Sequence, residues 1–306
     1  MLLHALRLAL PAAFLLAGCA AGTPPPAAPD ADPITDAAYL TNAVWDDGQA
    51  EVAFYAVERS RNQYGEAAAQ RFVAGTYLVK HDFDRSAMAK ATGAAAGVPA
   101  FKYALFYEFE SGSYQYKRNY VVNAAQADLA PLKASFTSFD WCSNLYRELA
   151  FQPGGAVAWL MRSDDYGNEA ATFEGRAGAY PVHLLPLLVR GLDFSEAPEH
   201  RFVIVEEAGR YTGATARLDG AETLALPGGD AEAERIVVSY ERPVRSLIGE
   251  ETDGAETYWR GTGPERLLLK LEAGTGRYGM TLVEALRSPY WQEDLWPRLQ
   301  RIAARP

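Results

Sequence analysis

The chain has 306 residues, 29 lysines and arginines against 39 aspartates and glutamates, and a formal charge of −10. An acidic protein of this kind is not built to bind nucleic acid or to adsorb onto anionic lipid heads. Seventeen tyrosines and six tryptophans favour strands, since aromatic rings suit a pleated, half-buried surface.

The chain opens as a secretory leader over residues 1–18, with Arg7 near the start, an apolar Leu8–Ala17 segment and small residues before a cut. The apolar segment is too short to span a bilayer, which takes about 20 apolar residues, and no later stretch reaches that length. Leu16-Ala17-Gly18-Cys19 has the pattern of a lipobox, which makes Cys19 the expected lipid attachment site and first residue of the mature chain. Ordinary secretion with cleavage near Ala20-Ala21 is the alternative. Two or more acyl chains on Cys19 would anchor firmly, because each buried CH₂ is worth about 0.8 kcal/mol and one chain alone holds marginally. Ala20, where an aspartate is the usual inner-membrane retention signal, points to the outer membrane, facing the periplasm.

Residues 19–37 are rich in proline and alanine and form the expected tether, extended at about 3.1 Å per residue where polyproline dominates. Residues 38–306 are expected to be a single domain. Losing the leader removes one cation, Arg7, and takes the formal charge from −10 to −11. With Cys19 lipidated, Cys142 is left without an intramolecular partner.

From Trp45 onward, short alternating or aromatic runs are broken by Gly, Asp, Asn and Pro. Asp46-Asp47-Gly48 is a turn before a strand over 51–59, and 70–83 is a second strand. Residues 86–99 read as an Ala/Gly-rich loop, with a short helix over 86–91 as an option. Runs at 100–110 and 114–123 flank Ser111-Gly112-Ser113, a hairpin signal. Strands continue at 131–141, 145–151, 157–162 and 170–173. The period then changes, and an apolar helix is expected near 182–191, with Pro186 in its first turn and Gly191 as its stop. Strands resume at 201–206, 213–218, 235–241, 256–260, 267–271 and 280–286, before a mixed 289–305 segment that turns helical after Trp291. About a dozen strands without βα alternation predict an all-β fold: a large antiparallel sheet, either an open half-barrel or a sandwich, with one short central helix between its halves.

Candidate sites are sparse. Gly274-Thr275-Gly276-Arg277-Tyr278-Gly279 matches the dinucleotide-binding spacing, but Pro289 follows too soon for a βαβ unit, so it reads as a hairpin turn. Cys142 could be a nucleophile if His81, His183 or His200 served as its base. In His81-Asp82-Phe83-Asp84, strand alternation puts Asp82 and Asp84 on one face, where they could share acid/base work or sit at a solvated strand end. Glu250-Glu251-Thr252-Asp253-Gly254 lacks the alternating ligands of a calcium loop. No metal site, cofactor site or catalytic motif is expected. Trp141-Cys142, Tyr258-Trp259-Arg260 and Tyr290-Trp291 either pack in a core or line a concave face for lipid or sugar.

In the back half, Tyr180-Pro181, Leu184-Leu185-Pro186-Leu187, Arg190–Phe194, Tyr258-Trp259, Pro264, Leu267, Arg287 and Tyr290-Trp291 resemble a family of exported bacterial proteins. In the front half Trp45, Gly48, Glu51, Tyr55 and Trp141-Cys142 extend the likeness. That family is similar to the lipoproteins of the YmcC-like half-barrel group, antiparallel β with a central helix. The resemblance brings no established activity; by analogy it implies handling of lipid, lipoprotein or exported polysaccharide. The expected function is therefore that of a lipid-anchored, non-enzymatic envelope protein binding a lipid, a glycan or an envelope-protein partner in envelope biogenesis. The alternative is an envelope hydrolase or transferase using Cys142 or the Asp82/Asp84 pair.

Overall fold

A computed structural model describes residues 34–304, except 64–65, 94–96, 112–113, 207–208 and 253 and the side chains of 61–68. Residues 32–306 form one compact unit. Cys19 and the leader lie outside the described residues, as does the tether as far as residue 33.

A short helix α1 (Ala37–Leu40) is capped by Asp36, whose carboxylate accepts from the Ala38 and Tyr39 amides, and a 3₁₀ turn follows (Ala43–Asp46). The first half of the sheet is then laid down as β1 (Ala50–Gln63), β2 (Glu66–Asp84), β3 (Ala89–Lys90), β4 (Val98–Ser111), β5 (Tyr114–Ala125), β6 (Pro131–Phe139), β7 (Asn144–Phe151), β8 (Ala156–Ser163) and β9 (Gly167–Glu174). A short β10 (Ala179–Pro181) leads through a 3₁₀ turn (Val182–Leu184) into α2 (Leu185–Gly191). The second half is β11 (Glu199–Val205), β12 (Tyr211–Leu226), β13 (Gly229–Tyr240), β14 (Ala255–Gly261), β15 (Leu268–Ala273) and β16 (Tyr278–Ser288), and α3 (Trp296–Ala303) closes the chain.

Among the described residues these sixteen strands make one sheet, in the order β10, β11 to β16, β1, β2, β4 to β9, with β3 appended to β2. Every pairing is antiparallel except β10 with β11. The sheet is strongly curved and does not close into a barrel, which decides for the open half-barrel against the sandwich. The 86–99 segment differs from expectation in one respect. Its described residues are a loop as expected up to β4, but one that carries the two-residue β3, paired through Phe83↔Lys90 and Asp84↔Ala89, because Asp84 caps a tight turn that returns the chain to β2.

Register breaks supply part of the curvature, since a bulge bends its strand and steepens the local twist. They fall at Val283 of β16, inserted opposite Phe54/Tyr55, at Leu218/Ala221 on β12, at Leu269 of β15, inserted opposite Trp259/Arg260, and at Leu132 of β6, inserted opposite Asn123/Ala124. Gly75 on β2 makes room for a neighbouring ring: a Cβ there would lie 2.3 Å from the Phe106 ring of β4.

Strand alternation sorts β1 by face. Ala53, Tyr55 and Val57 point into the concave core around α2, whereas Val52 and Phe54 point outward and are covered by Ile302 and Leu299 of α3. Leu184, Leu185, Leu187, Leu188 and Val189 are fully buried, so the helix predicted at 182–191 is a core plug. Pro186 does sit in its first turn. Gly191 ends the helix by a different device from the one expected. It has no positive φ; instead a Cβ there would meet Leu129 at 3.0 Å and Tyr39 at 3.6 Å, and the helix carbonyls are closed by a side chain.

That side chain is Arg260 of β14, whose Nη1 donates to the carbonyls of Val189 (3.0 Å), Arg190 (3.1 Å) and Leu192 (2.7 Å) while its Nε pairs with Glu234 at 2.6 Å. Arg190 itself turns into the core and makes a two-pronged pair with Glu51 of β1, at 2.9 and 2.6 Å. Arg266 also donates to the Arg190 carbonyl and pairs with Asp36, joining the N-terminal segment to the same end of the helix. A further buried carboxylate, Glu256, accepts from the hydroxyls of Tyr240, Tyr258 (2.8 Å) and Tyr278 (2.6 Å). No helix among the described residues is long and apolar enough to cross a membrane.

Candidate binding cavity

The helix plugs one end of the half-barrel and leaves the other hollow. A cavity of about 860 Å³ opens beyond its N-terminal end, within the range of about 300–1,000 Å³ typical of small-molecule sites. One wall follows the period-two rule: Tyr116, Arg118 and Tyr120 on β5, Phe136 and Ser138 on β6, and Leu145, Arg147 and Leu149 on β7. The opposite wall is the β13–β14 connection with Val244, Arg245, Gly249, Glu250 and Glu251, together with Val205 at the end of β11 and Glu206 and Arg210 from the β11–β12 connection. Pro181, Val182 and His183 form the floor.

The floor carries a column of rings. Phe136 and Tyr120 stack with centroids 4.5 Å apart, and Tyr120 and His183 lie 4.2 Å apart. Burial, with a contribution from the Arg147 charge, drives the His183 pKa down to about 3, so the imidazole is neutral over the physiological range. Burial and the neighbouring Tyr107 push the Tyr120 phenol well above its ordinary range, while the charges of Arg118 and Arg245 oppose that rise.

The low His183 value has a testable consequence. The unfolded chain takes up a proton near the ordinary value of 6.5 and the folded chain does not, so stability falls as pH drops from about 6.5 towards 3. For one such group the loss between pH 6.5 and 5 is about 1.5 kcal/mol. Urea titrations across that window should show a shallower fall for His183→Gln than for the parent chain. Equal slopes would mean that His183 is protonated in the fold.

The charged residues divide by commitment. Arg59 is buried; its Nε donates to Gln70 and its Nη1 to the Ile248 carbonyl, both at 2.8 Å, and it pairs with Glu250 at 3.4 Å over the Phe109 ring. It pins the β13–β14 connection onto β1. Glu206 is held by Arg210 (3.3 Å) and the Thr212 hydroxyl (3.2 Å), and Asp140 caps its own turn through the Cys142 and Ser143 amides. Arg118 stands over the Phe109 ring at 5.1 Å, and its Nε is buried with no hydrogen-bond partner.

Aromatic side chains also crowd the mouth. Tyr114, Phe139, Trp141 and Tyr166 project from or beside the β4–β5, β6–β7 and β8–β9 turns, which lie side by side at this end of the sheet; Trp141 is 77% and Tyr166 68% exposed. A second, smaller recess of about 160 Å³ lies on the convex face, where Tyr77, Tyr290, Trp296 and Leu299 enclose apolar surface under α3.

The residues singled out from sequence scatter. Cys142 is exposed on the β6–β7 turn; its thiol adjoins Tyr114, whose pKa it raises, and no histidine is among its described contacts. His81 bonds Asn123 at 3.0 Å, His200 bonds the Asp193 carbonyl, and only His183 of the three enters the cavity. Asp84 spends its carboxylate on the Ser86 amide and hydroxyl and the Ala87 amide, while Asp82 is exposed. Gly274–Gly279 is the β15–β16 turn, with Gly276 at φ +70°. Among the described residues no group of acids, histidines or cysteines has metal-site geometry. The aromatic pairs divide: Tyr258 and Trp259 are buried, Trp141 is at the mouth, and Tyr290-Trp291 lies on the convex side. Sequence reasoning missed Arg118, Tyr120, Arg147 and Arg245. The signal available was Tyr114, Tyr116, Arg118 and Tyr120 at strict alternation on one strand, a mixed ring-and-cation face that a core strand has no use for.

No protein-family profile and no curated protein matches the sequence. Among solved structures, the fold is similar to a β-barrel-like protein of the family of unknown function DUF1849 from Brucella abortus, with 8% identity and a TM-score of 0.44 over 78% of this chain and 98% of that one. It is also similar to a protein of YmcC-like fold from Bacteroides fragilis, assigned as exported, with 9% identity and a TM-score of 0.27 over 77% of this chain and 95% of that one. A DUF1329 protein from Desulfovibrio piger follows, with 11% identity and a TM-score of 0.21 over 81% and 76% of the two chains. The YmcC-like relation that the sequence suggested is thus among the structural neighbours.

Proposed function

We propose that the protein is an exported, lipid-anchored envelope protein that binds a saccharide in its cavity without transforming it. The observation that carries this is the composition of the cavity lining. Rings with polar edges (Tyr116, Tyr120, His183) alternate with guanidinium groups over about 860 Å³. Such a surface pairs hydroxyl groups and offers flat ring faces, whereas an acyl chain would need continuous apolar walls. A distinctly apolar recess on the convex side has less than a fifth of that volume, about 160 Å³. A non-catalytic role is supported by Cys142, which has no histidine among its described contacts, and by Asp84, whose carboxylate is engaged in its own turn. Export and anchoring are supported by the leader and by Leu16-Ala17-Gly18-Cys19.

Native mass spectrometry of protein extracted from membranes should show a bound saccharide mass. Added oligosaccharide should slow hydrogen exchange in β5 to β7. Bare spectra together with unchanged exchange would remove the binding proposal. For the anchor, Cys19→Ser should release a folded, soluble protein into the periplasm, and retention of that variant in the membrane fraction would overturn the lipobox.

A further inference from the structure

The two ends of the half-barrel differ in what enters and what opens there. The β4–β5, β6–β7 and β8–β9 turns stand at the mouth, whereas β1 begins and β16 finishes at the plugged end, where Ala50 meets Ser288. The first described residues enter at that plugged end. Thr35 bridges Leu192, and the Asp36 amide donates to the Gly191 carbonyl at 2.8 Å, so both contacts fall at the C-terminal end of α2, away from the cavity. The same end carries an aromatic patch on its convex flank. Trp291 and Trp296 are 53% and 51% exposed; Trp291 packs edge-on against Tyr290 at 5.4 Å, and Tyr290 and Trp296 both border the apolar recess of about 160 Å³. The segment from Pro289 to Ala303 sets Glu293 and Asp294 against Arg298 and Arg301 and so has no net charge.

We infer that the Tyr290–Trp291–Trp296 patch lies on the phospholipid surface of the membrane that holds Cys19, so that the plugged end faces the bilayer and the cavity mouth faces away from it. This rests on the anchoring reading above and adds an orientation to it. Tryptophan seats at the headgroup level of a bilayer, where its ring meets acyl chains and its N–H stays wet. Two such rings left half in water, at the end where the anchoring segment arrives, are placed for that contact. The tether alone does not impose it, since an extended proline-rich segment gains about 3.1 Å per residue and lets the domain stand off. The opposite posture asks more. Setting the mouth on the bilayer would require the tether to double back from Ile34 along the strands. The mouth has exposed rings too, Trp141 and Tyr166, but they border a cavity lined by arginines and carboxylates, groups that lose hydration against a bilayer. With the mouth turned away, the cavity takes its ligand from the compartment and not from the anchoring leaflet.

The test is tryptophan fluorescence of the full-length lipidated chain in phosphatidylcholine vesicles, quenched from the membrane by acyl-brominated phosphatidylcholine and from water by acrylamide. Brominated lipid should quench the parent chain. Trp291→Phe/Trp296→Phe should lose most of that quenching, and Trp141→Phe should keep all of it. The share of acrylamide quenching that Trp141→Phe removes should be the same in detergent and in vesicles. Loss of the brominated-lipid quenching in Trp141→Phe would put the mouth on the bilayer and overturn the inference. Chains that float with the vesicles yet show no quenching by brominated lipid would stand off on their tether, which overturns the inference and leaves the anchor standing. A parent chain that fails to float overturns the anchoring reading and this inference with it. Unchanged thermal unfolding of each variant excludes misfolding as the cause of any loss.

Discussion

Glu51→Ala is expected to destabilise the protein by about 3–5 kcal/mol, because it leaves the Arg190 charge buried and unpaired. The side chains of Arg190 and Glu51 are 2% and 4% exposed, and their pairing joins α2 to the first strand. Arg190 keeps other contacts after the substitution, donating to the Glu265 carbonyl and lying over the Trp45 ring at 5.8 Å, but neither neutralises it. The size of the loss reports the stranded cation and not the net worth of the pair. Glu51→Leu/Arg190→Met should therefore recover most of the stability, since apolar groups of similar volume often replace buried ion pairs without cost. Urea denaturation of both variants checks this. A single-variant loss under about 1 kcal/mol would show that water reaches the pair.

Arg260→Met is expected to cost about 3 kcal/mol or more. The substitution removes the donor shared by three carbonyls at the end of α2; that of Arg190 keeps Arg266, and the other two, left unpaired, cost about 1–3 kcal/mol each. Glu234, 32% exposed at its side chain, can turn to water and adds little. The damage should be local as well as global, because the carbonyls of a last helical turn have no intrahelical partners of their own. Hydrogen exchange should accelerate in α2 and at Asp36, whose amide donates to the Gly191 carbonyl. Protection unchanged at both places would mean that Leu184–Leu188 packing alone holds the helix.

The elements were legible in the chain because they are local. The ring-rich alternation of β4 and β5, the Ser111-Gly112-Ser113 turn and the apolar run after Tyr180 each carry their own signal. What sequence could not supply was long-range. Nothing in Glu51–Arg59 says that β16 is its neighbour, or that one large sheet curls instead of folding into two layers. Arginines were hidden for the same reason. Arg190 and Arg260 look like surface residues until the helix is placed inside the curve, and Arg118 becomes a cavity residue only when the β13–β14 connection crosses opposite it. Cys142 and the Asp82/Asp84 pair drew notice by residue type, and the fold gives each a position at a turn or strand end.

The order of strands also sets an order of assembly. From β1 to β9, and again from β11 to β16, nearly every strand pairs with its neighbour in the chain, so each run can zip as a series of hairpins. The join between the runs is different: Ala50 meets Ser288 and Arg59 meets Tyr278, contacts that close a loop of almost the whole domain. Such pairings are slow because their entropy is lost before their contacts form. Until β16 arrives, β1 is an open edge with unpaired amides and carbonyls, a template for the wrong partner. A chain cut short before Tyr278 would keep that edge for good, since β16 is the strand that seals the middle of the sheet.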